Sequence, residues 1–257
     1  MKAIWTGAIG FGLVNIPIKL FSAVQESDLD LDMLDGKDHS HIKFKRVNET
    51  TGKEVAYENI VKAYDFDGKY VVLDDKDFEQ AMPEKTRTIE VDSFADAGDI
   101  DSLYYENPYY AEPAKGGERA YKLFHAALEK SGKVGVGSFV MRSKEKLCLV
   151  KTSGDAIVIQ RIRFQQEIRS TDELKIPGSA PKPNELKMAL SLIEQLTADF
   201  NIESYKDTYA EKLMKLIQAK AKGKAMKQPA MKVVHSKTQD LMAQLQASLS
   251  SKAKKAS

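Results

Sequence analysis

In the first twenty-one residues apolar side chains recur at every second position, a period that admits strands and excludes a helix. Trp5, Ile9, Phe11 and Leu13 fall on one face and Ile16, Ile18 and Leu20 on the other, so the phase changes near Val14. That pattern predicts two successive half-buried strands joined at a bulge or bend. The charged start and apolar run also suggest a secretory leader. Gly7, Gly10, Gly12, Asn15, Pro17 and Lys19 interrupt it, however, and no small-x-small cleavage site follows Phe21.

The same texture continues to about residue 170. Residues 41–47 alternate, with His41, Lys43 and Lys45 on one face and Ile42 and Phe44 on the other. Residues 48–53 read as a turn, and residues 55–64 as a returning strand. Asp67-Gly68 is the dipeptide of a type I′ hairpin between residues 64–66 and 69–73. Further strands are predicted at 86–91, around Tyr109-Tyr110, and over 134–142, 147–152 and 156–164. The last three are joined by links short enough for hairpins. One helix interrupts: Gly116-Gly117-Glu118 opens it, Ala120, Leu123, Phe124, Ala127 and Leu128 form its apolar stripe, and Gly132 ends it. Many short strands with tight turns and one helix suggest a closed or nearly closed barrel.

Past the Pro-rich joint at 177–183 the period changes. Leu186, Ala189, Leu190, Ile193 and Leu196 recur at helical spacing, as do Tyr209, Leu213, Leu216 and Ile217, with Asn184 the expected N-cap and Gly223 the expected stop. Two helices with wide apolar faces need a surface to cover, either a second subunit or the chain's own barrel. The expected organisation is a barrel over 1–175 with an arm over about 35–75, a helical arm over 184–222, and a basic, largely disordered tail over 223–257. No stretch approaches the ~20 apolar residues of a membrane span. Cys148 stands alone, which excludes an internal disulfide and fits a reducing cytoplasm. The net charge of +2 conceals an asymmetry: from Lys220 onward nine lysines stand against Asp240 alone, and the preceding body is mildly acidic. Such tails meet a polyanion or lie solvated.

The run AIWTGAIGFGLVNIPIKL over residues 3–20 resembles the opening of the bacterial Ku family, the DNA-end-binding proteins of non-homologous end joining. Further blocks similar to the family are VKAY at 61–64, YVVL at 70–73, EKTRTIE at 84–90, KGGERAY at 115–121, GKVG at 132–135 and ELKMA at 185–189. The resemblance reaches from Met1 to about Gly223. It implies a mainly β fold with α elements: a Ku-type barrel with an extended DNA-bridging arm, and a C-terminal helical arm that grips a second copy to close a homodimeric ring. It also implies a multifunctional ATP-dependent DNA ligase as partner, no cofactor, and a cytoplasmic, nucleoid-associated location. Where many members carry C-x-x-C-G, this chain has Asn48-Glu49-Thr50-Thr51-Gly52, so no metal or thiol role is expected there.

On that resemblance Lys43, Lys45, Arg46, Lys53 and Lys62 become the core of the DNA-contact candidates. Ten extended residues reach about 33 Å, and cations at period two on one face can meet successive phosphates without reading bases. The plainer alternative is an edge strand whose lysines guard against aggregation. Arg142, Lys144, Lys146, Arg161 and Arg163 form a second group, lining a ring interior or coating a barrel exterior. In the tail, Lys222, Lys224, Lys227, Lys252, Lys254 and Lys255 suit DNA, and Leu241, Leu245 and Leu249 suit a partner groove; the plainer reading is a solubilising end. Leu186, Leu190, Ile193, Leu213, Leu216 and Ile217 are the dimer-arm candidates.

No residues stand out as catalytic. Lys115-Gly116-Gly117 lacks the Gly-Lys-Ser/Thr ending of a P-loop, and His39 with His41 lacks further metal ligands. The leading expectation is sequence-independent binding of double-stranded DNA ends. Its competitors are an architectural DNA binder without end preference, and a lyase in which a Lys amine attacks an abasic aldehyde.

Overall fold

In the computed structural model, described for residues 1–25, 28–81 and 87–223 together with 244, 245 and 248, the chain divides into two compact units, the first of residues 1–25 and 30–170 and the second of residues 28–29 and those from Thr171 onward. The first unit is a closed seven-stranded barrel. Strands β1 (Trp5–Phe11) and β2 (Val14–Ser22) form its first hairpin, with Trp5 opposite Leu20 and Ile9 opposite Ile16. This corrects the expected bend and the two opposed faces. A two-residue turn pairs odd positions with even ones, so Ile9, Ile16, Ile18 and Leu20 all enter one core. Gly12 supplies the positive φ of +57° in that turn, and Leu13 beside it is fully exposed.

The wall continues through β5 (Thr88–Asp96), β6 (Tyr105–Pro113), β7 (Lys133–Met141), β8 (Lys144–Ser153) and β9 (Ala156–Ile162), in the order β1-β2-β6-β9-β8-β7-β5. Closure is a parallel pairing, Ile9 beside Ile89, and every other contact in the wall is antiparallel. β6 is longer than the aromatic pair suggested. It tolerates Pro108 because the ladder to β9 is irregular between Tyr105 and Pro108. The helix α2 (Glu118–Ser131) ends at Gly132, φ +67°. Its buried face is Tyr121, Phe124 and Leu128, at i, i+3 and i+7, whereas Leu123 is 73% exposed. Tyr121 was outside the expected stripe because its hydroxyl looks polar in sequence. In the fold it donates to the Ala111 carbonyl (2.7 Å) and accepts from the Ile157 N–H (2.7 Å).

Between β2 and β5 the chain leaves the wall. It contains β3 (Lys62–Phe66), β4 (Lys69–Leu73) and the short helix α1 (Asp75–Ala81). Asp67 and Gly68 have φ of +49° and +80°, the expected type I′ turn. Residues 41–47 and 55–64 do not form the predicted ladder, and 62–64 pair with β4 instead. Isolated bridges at Leu34–His41 and Val47–Glu54 hold extended chain instead, since with both faces exposed nothing fixes a longer register.

The second unit contains α3 (Pro183–Leu196) and α4 (Thr208–Ala221). The N-cap of α3 is Lys182 and not Asn184, because Pro183 needs no N–H partner in the first turn and its φ is already helical. Asp207 caps α4, accepting from the N–H groups of Tyr209 (2.9 Å) and Ala210 (3.1 Å), and Gly223 follows the last turn at φ +68°. Leu186, Leu190, Ile193 and Leu196 are 47–61% exposed, Leu213 and Leu216 are half-buried, and Ile217 is exposed. No described helix is long and apolar enough to cross a membrane.

Candidate nucleic-acid interface

The excursion between β2 and β5 displays its cations to solvent. Lys43, Lys45, Arg46, Lys53 and Lys62 are all exposed. Lys45 reaches Glu54 across the Val47–Glu54 bridge (2.6 Å), a pair exposed on both sides and therefore worth about 1 kcal/mol or less. A phosphate can replace Glu54 at little cost. Arg46 lies over the Tyr57 ring (5.1 Å to its centroid) and Lys62 over the Phe78 ring (4.7 Å). The rings restrict both side chains while leaving their charge unneutralised. Lys43 and Lys53 make no ion pair among the described residues.

Lys53 stands at the end of a loop that holds its shape without cysteines. The Asn48 side-chain oxygen accepts from the N–H groups of Thr50 (3.0 Å) and Thr51 (2.9 Å), and Gly52 turns at φ +65° with its N–H on the Asn48 carbonyl (2.8 Å). An Asx turn thus presents Lys53.

The barrel group divides. Arg142, Lys144, Lys146 and Arg161 line one concave cavity of about 550 Å³, together with Asn107 and Tyr109. Arg163 is absent from that lining. Its Nη1 donates to the carbonyls of Leu103 (3.0 Å) and Tyr105 (2.7 Å), and its Nε lies 3.9 Å from Glu106. Glu106 also pairs with Arg161 at 2.5 Å, with both side chains largely shielded. Glu106 is thus the residue sequence reasoning missed. It sits some 55 positions from either arginine, and only the β6–β9 pairing brings them together. Tyr57 and Phe78 were missed likewise, for want of a periodic signal. Of the tail candidates, Lys222 is exposed at the end of α4 and Leu245 is helical and half-buried. Lys224, Lys227, Leu241, Leu249, Lys252, Lys254 and Lys255 lie outside the described residues.

Exposed cations on extended chain, with no base-reading helix or ribbon among them, suit phosphates irrespective of sequence. The family model described as the Ku70/Ku80 beta-barrel domain matches residues 10–188, which include the end of β1, all other strands of the barrel, the excursion and the start of α3. The chain belongs to the Ku family. Among its relatives, a protein of Cupriavidus necator named non-homologous end joining protein Ku is 40% identical over 226 residues, 85% of this chain and 67% of that one. Proteins of the same name from Coxiella burnetii and Archaeoglobus fulgidus are each 37% identical over 227 residues. The first covers 86% of this chain and 83% of its own length, the second 87% and 90%. The family match stops within α3, so α4 and the tail lie outside the Ku barrel domain proper.

Proposed function

We propose that this Ku-family chain binds the ends of double-stranded DNA as a ring-shaped homodimer, without regard to sequence, in repair by non-homologous end joining. The observation that carries the reading is the solvated excursion between β2 and β5, inside the family match and bearing exposed cations that no buried partner retains. Lys43, Lys45, Arg46, Lys53 and Lys62 contact phosphates, with counterion release supplying the affinity. The exposed apolar residues Leu186, Leu190 and Ile193 of α3 and Ile217 of α4, with half-buried Leu213 and Leu216, meet a second copy. End preference is topological: a closed ring admits DNA only where the duplex terminates.

Binding to linear duplex and to covalently closed circles at matched salt tests this. Strong preference for linear DNA is expected; equal affinity would leave only an architectural binder. By this reading the protein shields ends and recruits a multifunctional ATP-dependent DNA ligase in the cytoplasm, at the nucleoid. Removing residues 223–257 and measuring ligase stimulation assigns or frees the tail. A binding role fits the site better than chemistry: among the described residues no lysine is buried, so nothing desolvates an amine for attack on an abasic aldehyde. Borohydride trapping on an abasic end should yield no adduct.

A further inference from the structure

The faces of the barrel strands are fixed by their register, and the register puts cations in an unexpected place. Cys148 is fully buried in the barrel core and lies opposite Arg161, while Val150 in the same core lies opposite Ile159. Side chains alternate along a strand, so Lys146 and Lys144 share the face of Cys148, and their partners on β7 are Phe139 and Met141, both of that core. The core-side face of β8 and β9 is therefore apolar through Val150, Ile159 and Cys148 and becomes cationic at one end. These lysines do not coat the barrel exterior. They stand at its mouth, Lys144 exposed and Lys146 half-buried.

That mouth is the 550 Å³ cavity lined by Arg142, Lys144, Lys146 and Arg161, with Asn107 and Tyr109 adding polar groups. The volume falls within the roughly 300–1,000 Å³ of small-molecule clefts. Glu106, paired with Arg161, is the only carboxylate within ion-pair distance of these four cations among the described residues, so positive charge remains in excess. The Arg161 Nε is buried with no acceptor among the described residues. Arg142 is held at the rim by a turn in which Arg142 and Ser143 have φ of +52° and +66°, a conformation that glycine or asparagine adopts more cheaply. Four cations in the lining and a cleft of small-ligand size call for one class of ligand.

We propose that the barrel mouth is a binding site for a phosphate ester or oligophosphate, separate from the phosphate contacts of the excursion. Lys144 and Lys146 supply point charge, Arg161 a guanidinium held in place by Glu106, and Arg142 a further cation at the rim. The phosphate comes either from a free small molecule or from the terminus of a nucleic-acid strand, and the chemistry is shared.

Inorganic pyrophosphate is the probe, titrated calorimetrically into the full chain at constant ionic strength. Saturable binding, one per chain, is expected. It should weaken by about tenfold or more in the K144Q/K146Q variant, which loses two charge-assisted contacts. Both lysines carry their charge at the solvated mouth and neither forms an ion pair among the described residues, so the unliganded thermal midpoint should be unchanged. A K43Q/K53Q variant should bind pyrophosphate as the parent does. Absence of saturable binding, or equal binding by K144Q/K146Q, overturns the proposal. Competition then assigns the source. A 5′-phosphorylated duplex that displaces pyrophosphate where its 5′-hydroxyl counterpart does not identifies a strand terminus; failure of both to displace it identifies a free small phosphate. Equal displacement by both duplexes would overturn the proposal by making the mouth part of the duplex-binding surface. The pocket and the DNA-end reading fail separately, because the pyrophosphate titration contains no DNA.

Discussion

Cys148 shows how completely burial can silence a reactive group. It is 0% exposed, and burial first, with the nearby Asp92 charge adding to it, pushes its thiol from 9.0 up to about 12. The native chain should therefore fail to react with a thiol-exchange reagent at pH 8 and react stoichiometrically once denatured. The folded state keeps a proton that the unfolded chain releases above pH 9. Stability attributable to this group is thus complete below pH 9 and falls between pH 9 and 12, by on the order of 1 kcal/mol per pH unit, as urea midpoints across that range should show. Gly137 is constrained as tightly by space. A Cβ there would lie 1.9 Å from the Glu90 carbonyl oxygen, backbone that cannot move without parting β5 from β7. Gly137→Ala should cost about 3 kcal/mol or more by urea denaturation. Neither residue looks special in sequence: a lone cysteine and a strand glycine acquire their meaning from what packs against them.

At the scale of elements, the excursion and the helices of the second unit share one property. Both expose apolar or charged faces that a single copy leaves uncovered. On the proposed reading the excursion's cations meet phosphates, so K43Q/K53Q should lower the slope of log affinity against log salt by about two, uniformly across DNA sequences. On α3 the exposed side chains at 190 and 193 are the more telling pair. Leu190→Asp with Ile193→Asp should convert a dimeric mass to a monomeric one in light scattering while leaving the barrel's near-ultraviolet signal intact, because the substituted residues belong to the second unit. Turn chemistry made the β3–β4 hairpin legible from Asp67-Gly68 alone. The neighbouring stretch at 41–47 alternated just as clearly and formed no ladder, since alternation without a buried face specifies no register.

For the whole molecule, a ring makes a prediction that no surface patch makes. Protein loaded on a linear duplex that is then ligated into a circle should remain bound through a high-salt wash, and nicking the circle should not release it. A second linear cut should. Retention without circularisation, or loss despite it, would mean that electrostatics alone hold the complex.

The sequence by itself determined what local chemistry can determine. The period-two runs, the two-residue turns, the glycine stops at 132 and 223, and the helical stripes past residue 183 each rest on neighbours within a few positions. It also carried enough ordered blocks to resemble Ku before any strand was paired. Only the tertiary structure decided which faces those elements turn to one another. The parallel β1–β5 closure, the Glu106 clasp on Arg161 and Arg163, and the placing of Lys144 and Lys146 at the barrel mouth all depend on register between strands distant in sequence. The reason is physical. A strand's own residues fix which of them share a face, but which face looks inward is set by the strand hydrogen-bonded beside it.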